Sequence, residues 1–133
     1  MKISAVVRNA TATHEVVVST AGVQQRIAVP TKATGKGSAI NGGEFLVLAL
    51  ATCYCNDLYR EAARLGFAVE SVEVEATAEF PGVGLAATNI KYKAKVLSSA
   101  SAAEITELLR QTDAVAEVHN TVRSGAAVTL ENL

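Results

Sequence analysis

Tryptophan is absent from this sequence, and phenylalanine and tyrosine occur only three times each, so a platform on which nucleic-acid bases stack is not expected. An excess of one charge is lacking too. Twelve basic residues stand against 13 acidic ones, for a formal net charge of −1, which gives no electrostatic case for binding nucleic acid or an anionic membrane. Long hydrophobic runs are missing: the longest, Phe45 to Ala51, is far below the ~20 residues that span a bilayer. The first residues, Met1-Lys-Ile-Ser-Ala-Val-Val-Arg-Asn9, lack the layout of a signal peptide, so the expected location is the cytoplasm. Cysteine is limited to Cys53 and Cys55, which excludes a secreted disulfide framework. Two thiols and two distant histidines do not have the ligand spacing of zinc, and no metal or other cofactor is expected.

What is present is apolar content. Half of the 133 residues are hydrophobic, enough for one folded domain, residues 1–133, with a core that needs no disulfide staple. β-Branched residues predict strands over 2–8, 14–19 and 24–29, with a turn at Ala21-Gly22 and a stop at Pro30. Residues 31–43, rich in Gly, Ser, Thr and Lys, predict a loop, which lacks the phosphate-cradling GxxxxGK[ST] pattern. From about Gly43 to Leu65 a helix is expected, capped by Asn41 or Gly42 and closed by Gly66. Its first half is apolar on all sides and predicts a core helix. Its second half, with Asp57, Arg60, Glu61 and Arg64 on a polar side, predicts a helix that surfaces toward its C-terminal end.

Period two is clearest further on. Val72, Val74, Ala76, Ala78 and Phe80 alternate with Glu73, Glu75, Thr77 and Glu79; Ile90, Tyr92, Ala94 and Val96 alternate with Lys91, Lys93 and Lys95. Two half-buried strands joined through Pro81-Gly-Val-Gly84 form an antiparallel hairpin with acids facing lysines. Ser101-Ala-Ala-Glu104 reads as a capping box opening a second helix, to about Ala116, with Ile105, Leu108, Leu109 and Thr112 on its buried face. Ala126 to Leu130 is expected as a last strand. The order is βββαββαβ, an α+β body.

The candidate chemistry sits in Glu44 to Cys55, Glu-Phe-Leu-Val-Leu-Ala-Leu-Ala-Thr-Cys-Tyr-Cys, a helix that delivers two thiols into the interior. Cys53 is either a shielded nucleophile or a small buried hydrophobe. Cys55 lies ~200° from it around the helix, a poor geometry for an intrahelical disulfide. It either packs in a core or interface, or resolves Cys53 by local unwinding or across a dimer. Glu44 is either a polar group serving the thiol or a first-turn acid that complements the helix dipole. His119 either lines a pocket near Cys53 or is a solvated loop or capping residue, a bland reading that His14 shares. Tyr54 and Tyr59 read as core or dimer aromatics with a polar tip.

The frame Gly42-Gly-Glu-Phe-Leu-Val-Leu-Ala-Leu-Ala-Thr-Cys53 resembles the pattern Pro-x-Glu-Leu-Leu-x-Ala-Ala-Leu-x-x-Cys of the OsmC/Ohr family, the osmotically induced and organic-hydroperoxide-resistance proteins. The element order, the His14-Glu-Val-Val-Val stretch and Val118-His-Asn-Thr-Val122 are similar as well. The resemblance implies an OsmC-like fold, an intertwined homodimer with a long buried central helix and sites at the subunit interface. It implies reduction of organic hydroperoxides, with Cys53 in the position of the reacting cysteine and Glu44 near that of the family's acid. His119 and Tyr54 are the candidates for contact with the substrate, a small organic hydroperoxide or another apolar ligand. The family's second cysteine falls at Ala116, so an external thiol would have to regenerate Cys53. The family's arginine has only Arg8 and Arg26 as candidates, and its hydroperoxide-reductase branch places an acid where this chain has Gly43. Two rival readings follow. One is an OsmC-fold small-molecule-binding or structural protein without peroxidase activity; the other is a thiol-based redox sensor.

Overall fold

The computed structural model describes residues 1–132. The chain forms two compact units, Met1–Phe45 and Leu46–Leu133.

In the first unit, β1 (Ile3–Ala10), β2 (Thr13–Thr20) and β3 (Val23–Ile27) form an antiparallel sheet in that order. Thr20 pairs with Val23 across the two-residue loop Ala21-Gly22, whose φ values of 48° and 85° are the left-handed pair of a type I′ turn. Gly22 meets that demand freely, whereas Ala21 adopts it against its Cβ. β3 stops at Ile27, short of the expected Val29, because the next residues enter a closed loop. Thr31 bridges Ser38 there, and the Ala39 amide donates to the Pro30 carbonyl at 2.9 Å.

Helix α1 (Gly42–Leu65) starts just after Asn41, the first of its two expected caps, which forms a capping box with Glu44. The Glu44 amide donates to Asn41 Oδ1 at 2.8 Å, and the Asn41 amide donates to Glu44 Oε1 at 3.1 Å. It ends in a Schellman motif: Phe67 N–H reaches the Ala62 carbonyl at 3.1 Å, and Gly66 takes φ 88°.

The second unit adds β4 (Ser71–Glu79), β5 (Thr88–Leu97), α2 (Ala102–Val115) and α3 (Glu117–Arg123). β4 and β5 pair antiparallel with Glu73 opposite Lys95 and Glu75 opposite Lys93, the expected ladder, and Lys93 Nζ lies 2.8 Å from Glu75. The predicted box at Ser101 and Glu104 is in place at the start of α2. Tyr54, Leu58 and Ala62 of α1 form the core with Leu108 of α2 and Ala116, and the inward residues of the β4–β5 hairpin pack against them.

Three expectations are corrected. Within the chain α1 buries only Leu50 fully in its apolar first half, where Leu48 is 54% exposed, and most of its buried residues, Tyr54, Asp57, Leu58, Glu61 and Ala62, lie further on. Asp57 and Glu61 can be buried because Arg60 bonds to both and Arg64 bonds to Glu61, so neither carboxylate is left unpaired. Residues 126–130 form no strand; Val128 and Leu130 are 99% and 95% exposed, with no neighbouring strand to hold their backbone groups. Instead the chain folds into α3 after Ala116, whose extended ψ of 104° breaks the helical run. No helix among the described residues is long and apolar enough to cross a membrane.

Candidate functional site: an acid-flanked thiol

Cys53 projects from the middle of α1, half-buried, and one turn later Asp57 lies on the same face. The Cys53 S–H donates to Asp57 Oδ2 at 3.7 Å, and Glu117 Oε2 of α3 lies 4.0 Å from the same sulfur. Burial pushes the thiol pKa above its ordinary value, and the charges of Asp57 and Glu117 push the same way. The Val118 backbone amide opposes them by bonding to the sulfur. The net direction favours the neutral thiol over its anion. Asp57 is itself raised by burial, against the pull of Arg60, whose Nη1 lies 2.8 Å from Asp57 Oδ1.

The donor atoms of Cys53, Asp57 and Glu117 all lie within 4.8 Å of one another. That spacing alone does not make an ion site, because Glu117 is exposed and Asp57 is already neutralised by Arg60.

Beside this group stands an aromatic cluster. Tyr54 meets Tyr92 of β5 at a centroid distance of 4.7 Å, and His119 of α3 lies 4.4 Å from Tyr92 and 5.8 Å from Tyr54. Tyr54 donates its hydroxyl to the Leu109 carbonyl at 2.7 Å, and burial pushes its pKa up to about 12. Tyr92 donates to Asp113, which Arg123 also holds at 2.5 Å. Tyr54, Tyr92, Lys93, Ala94, Leu109 and Asp113 line an open pocket of about 380 Å³.

Of the candidates from the sequence, Cys53 thus gains two acids that sequence reasoning missed. The i,i+4 spacing of Cys53 and Asp57 carried the first; nothing local could point to Glu117. Tyr54 and His119 come together, and Tyr54 lines a pocket whose lining includes neither Cys53 nor His119. His119 is no solvated loop residue: it sits on a helix and is 3% exposed, because α3 turns it onto the tyrosines. Cys55 is half-buried, and both cysteines are free. Glu44 spends its carboxylate on the helix cap. Arg8 and Arg26 both grip Glu15 in the first unit, each at 2.7 Å. There Thr13, His14, Glu15, Arg26, Val29 and Pro30 are among the residues around an open pocket of about 870 Å³.

An antiparallel hairpin packed on a long helix that carries a half-buried thiol defines an α+β thiol protein. The model of the OsmC-like protein family matches residues 35–131, and the chain belongs to that family. Solved structures share the fold. An OsmC-like protein from Mycoplasma pneumoniae superposes with a TM-score of 0.66 at 20% identity, over 92% of this chain and 86% of that one. An organic hydroperoxide resistance protein from Elizabethkingia anophelis, with thiocyanate bound, gives 0.62 at 15% identity, over 92% and 89%. A Legionella pneumophila organic hydroperoxide resistance protein OsmC, described as a predicted redox protein, gives 0.59 at 14% identity, over 90% and 89%. At these identities the likeness establishes the fold alone. No curated protein matches the chain.

Proposed function

We propose that this chain reduces organic hydroperoxides slowly, with Cys53 as the nucleophile. The observation that carries the reading is the place of one sulfur. It is half-buried on the central helix of an OsmC-like fold, with the Val118 amide available to stabilise its anion. The thiolate attacks the outer peroxide oxygen, the O–O bond breaks, and the alkoxide takes a proton to leave as an alcohol. Cys53 is then a sulfenic acid. Ala116 stands where the family's second cysteine would fall, so an external thiol condenses with the sulfenic acid, releasing water, and a second thiol frees Cys53 as the mixed disulfide exchanges. Glu44, Cys55, Tyr54 and His119 stay outside these steps in this reading, Tyr54 contributing a pocket wall.

Asp57 and Glu117 favour a second reading, a binding protein of the same fold that performs no peroxide chemistry. They add to burial in favouring the protonated thiol, which is a poor nucleophile. Consumption of an alkyl hydroperoxide with a dithiol reductant separates the two. Turnover that disappears in Cys53→Ser supports the first, and turnover unchanged by that substitution removes Cys53 from the mechanism. No turnover at any pH leaves the binding protein.

A further inference from the structure

His119 brings a titratable group into the core of the second unit with nothing to bond it. It is 3% exposed, and neither Nδ1 nor Nε2 has a hydrogen-bond partner. A neutral imidazole fits the slot against Tyr54 and Tyr92 as a flat, largely apolar body. An imidazolium there carries a desolvated charge and two unpaired N–H donors. The groups around it come from each packed element: Tyr54 and Asp57 from α1, Tyr92 from β5, Asp113 from α2 and Arg123 from α3 itself. Both acids favour the proton, but Asp113 is taken by Arg123 and Tyr92, and Asp57 by Arg60. Burial first, and Arg123 second, hold the imidazole neutral against them.

The element that carries His119 is short and tied largely through exposed groups. α3 has seven residues, and beyond its own turns its polar ties are those of Arg123 to the Asp113 side chain, the Asp113 carbonyl and Tyr92, a 3.1 Å bond from Asn120 Nδ2 to the Ala114 carbonyl, and the contacts of Glu117 and the Val118 amide with the Cys53 sulfur. An exposed ion pair contributes under about 1 kcal/mol. Yet its first turn lies over the thiol, through the Glu117 carboxylate and the Val118 amide.

We propose that His119 makes α3 a proton-operated cover for Cys53: a neutral imidazole keeps α3 seated, and a protonated one unseats it, baring the sulfur and withdrawing Glu117. This goes beyond peroxide reduction and holds whether or not Cys53 turns over. The direction follows from linkage. The seated form binds the His119 proton less readily than the unseated form, so α3 loses ground as pH falls below the ordinary imidazole value of about 6.5.

The test is amide hydrogen exchange of the full chain in a His14→Gln background, at about pH 7.5 and about pH 5, with rates corrected for the intrinsic pH dependence of exchange. Protection over 117–123 is expected to fall roughly tenfold at the lower pH while α1 and α2 keep theirs. With His119→Phe or His119→Gln added, α3 is expected to stay protected at both. Equal α3 protection at both pH values overturns the proposal. So does a loss that persists in a folded His119 variant, or a loss shared by α1, which is general unfolding. If neither variant folds, the midpoint of α3 opening is compared with the His119 imidazole titration seen by NMR. Coincidence supports the cover, and separate midpoints overturn it.

Discussion

At Cys53 burial and three neighbours together set reactivity. Burial acts most strongly and favours the thiol, the Val118 amide favours the anion, and Asp57 and Glu117 add to burial. Asp57→Asn keeps the shape and deletes the nearer charge. Alkylation of Cys53 at neutral pH, followed in a Cys55→Ser background, is expected to rise roughly three- to tenfold in that variant. An unchanged rate would show that the Asp57 charge does not reach the sulfur. Leu58 shows the packing side of the same helix. It is 0% exposed, and Leu58→Ala is expected to cost about 2–5 kcal/mol in a urea unfolding curve.

Elements were legible in the sequence wherever a local rule sets them. The capping box at Ser101 depends on residues three apart, and the β4–β5 ladder on alternation, so both stand in the structure as the sequence implies, and Asn41, one of the two expected caps of α1, is the one used. Asn41→Ala removes the side-chain bond to the Glu44 amide and is expected to cost about 1 kcal/mol of thermal or denaturant stability. Failures occurred where distant residues decide. Asp57 and Glu61 look solvent-facing by charge, but arginines on the same helix let them be buried. Val118-His119-Asn120 has no strong helical period, and α3 forms because His119 finds the tyrosines of α1 and β5. Residues 126–130 have strand composition but no partner strand. Of the site, the thiol could be read directly and its position matched to a family. Glu117, 64 residues away along the chain, could not.

For the whole molecule, the apolar surface left open is the main prompt to further assembly. Leu48 on α1, Val6 and Val7 on β1, and Val128 and Leu130 near the C-terminus are all at least 40% exposed. Covering them in a second copy of the chain, the homodimer that the family resemblance implies, would remove apolar area from water. Size-exclusion chromatography with light scattering at low micromolar concentration is expected to return the mass of two chains, and a clean monomer would contradict that assembly. The ionisation of Cys53 in the intact protein tests the account most directly, since helix, cover and flanking acids all act on that sulfur. Alkylation of the Cys55→Ser protein is to be followed across pH. A midpoint above the ordinary thiol value of about 8.5 is expected, with peroxide consumption rising in step toward alkaline pH. A midpoint well below that value would mean a resting thiolate, and would contradict the restraining role assigned to Asp57 and Glu117.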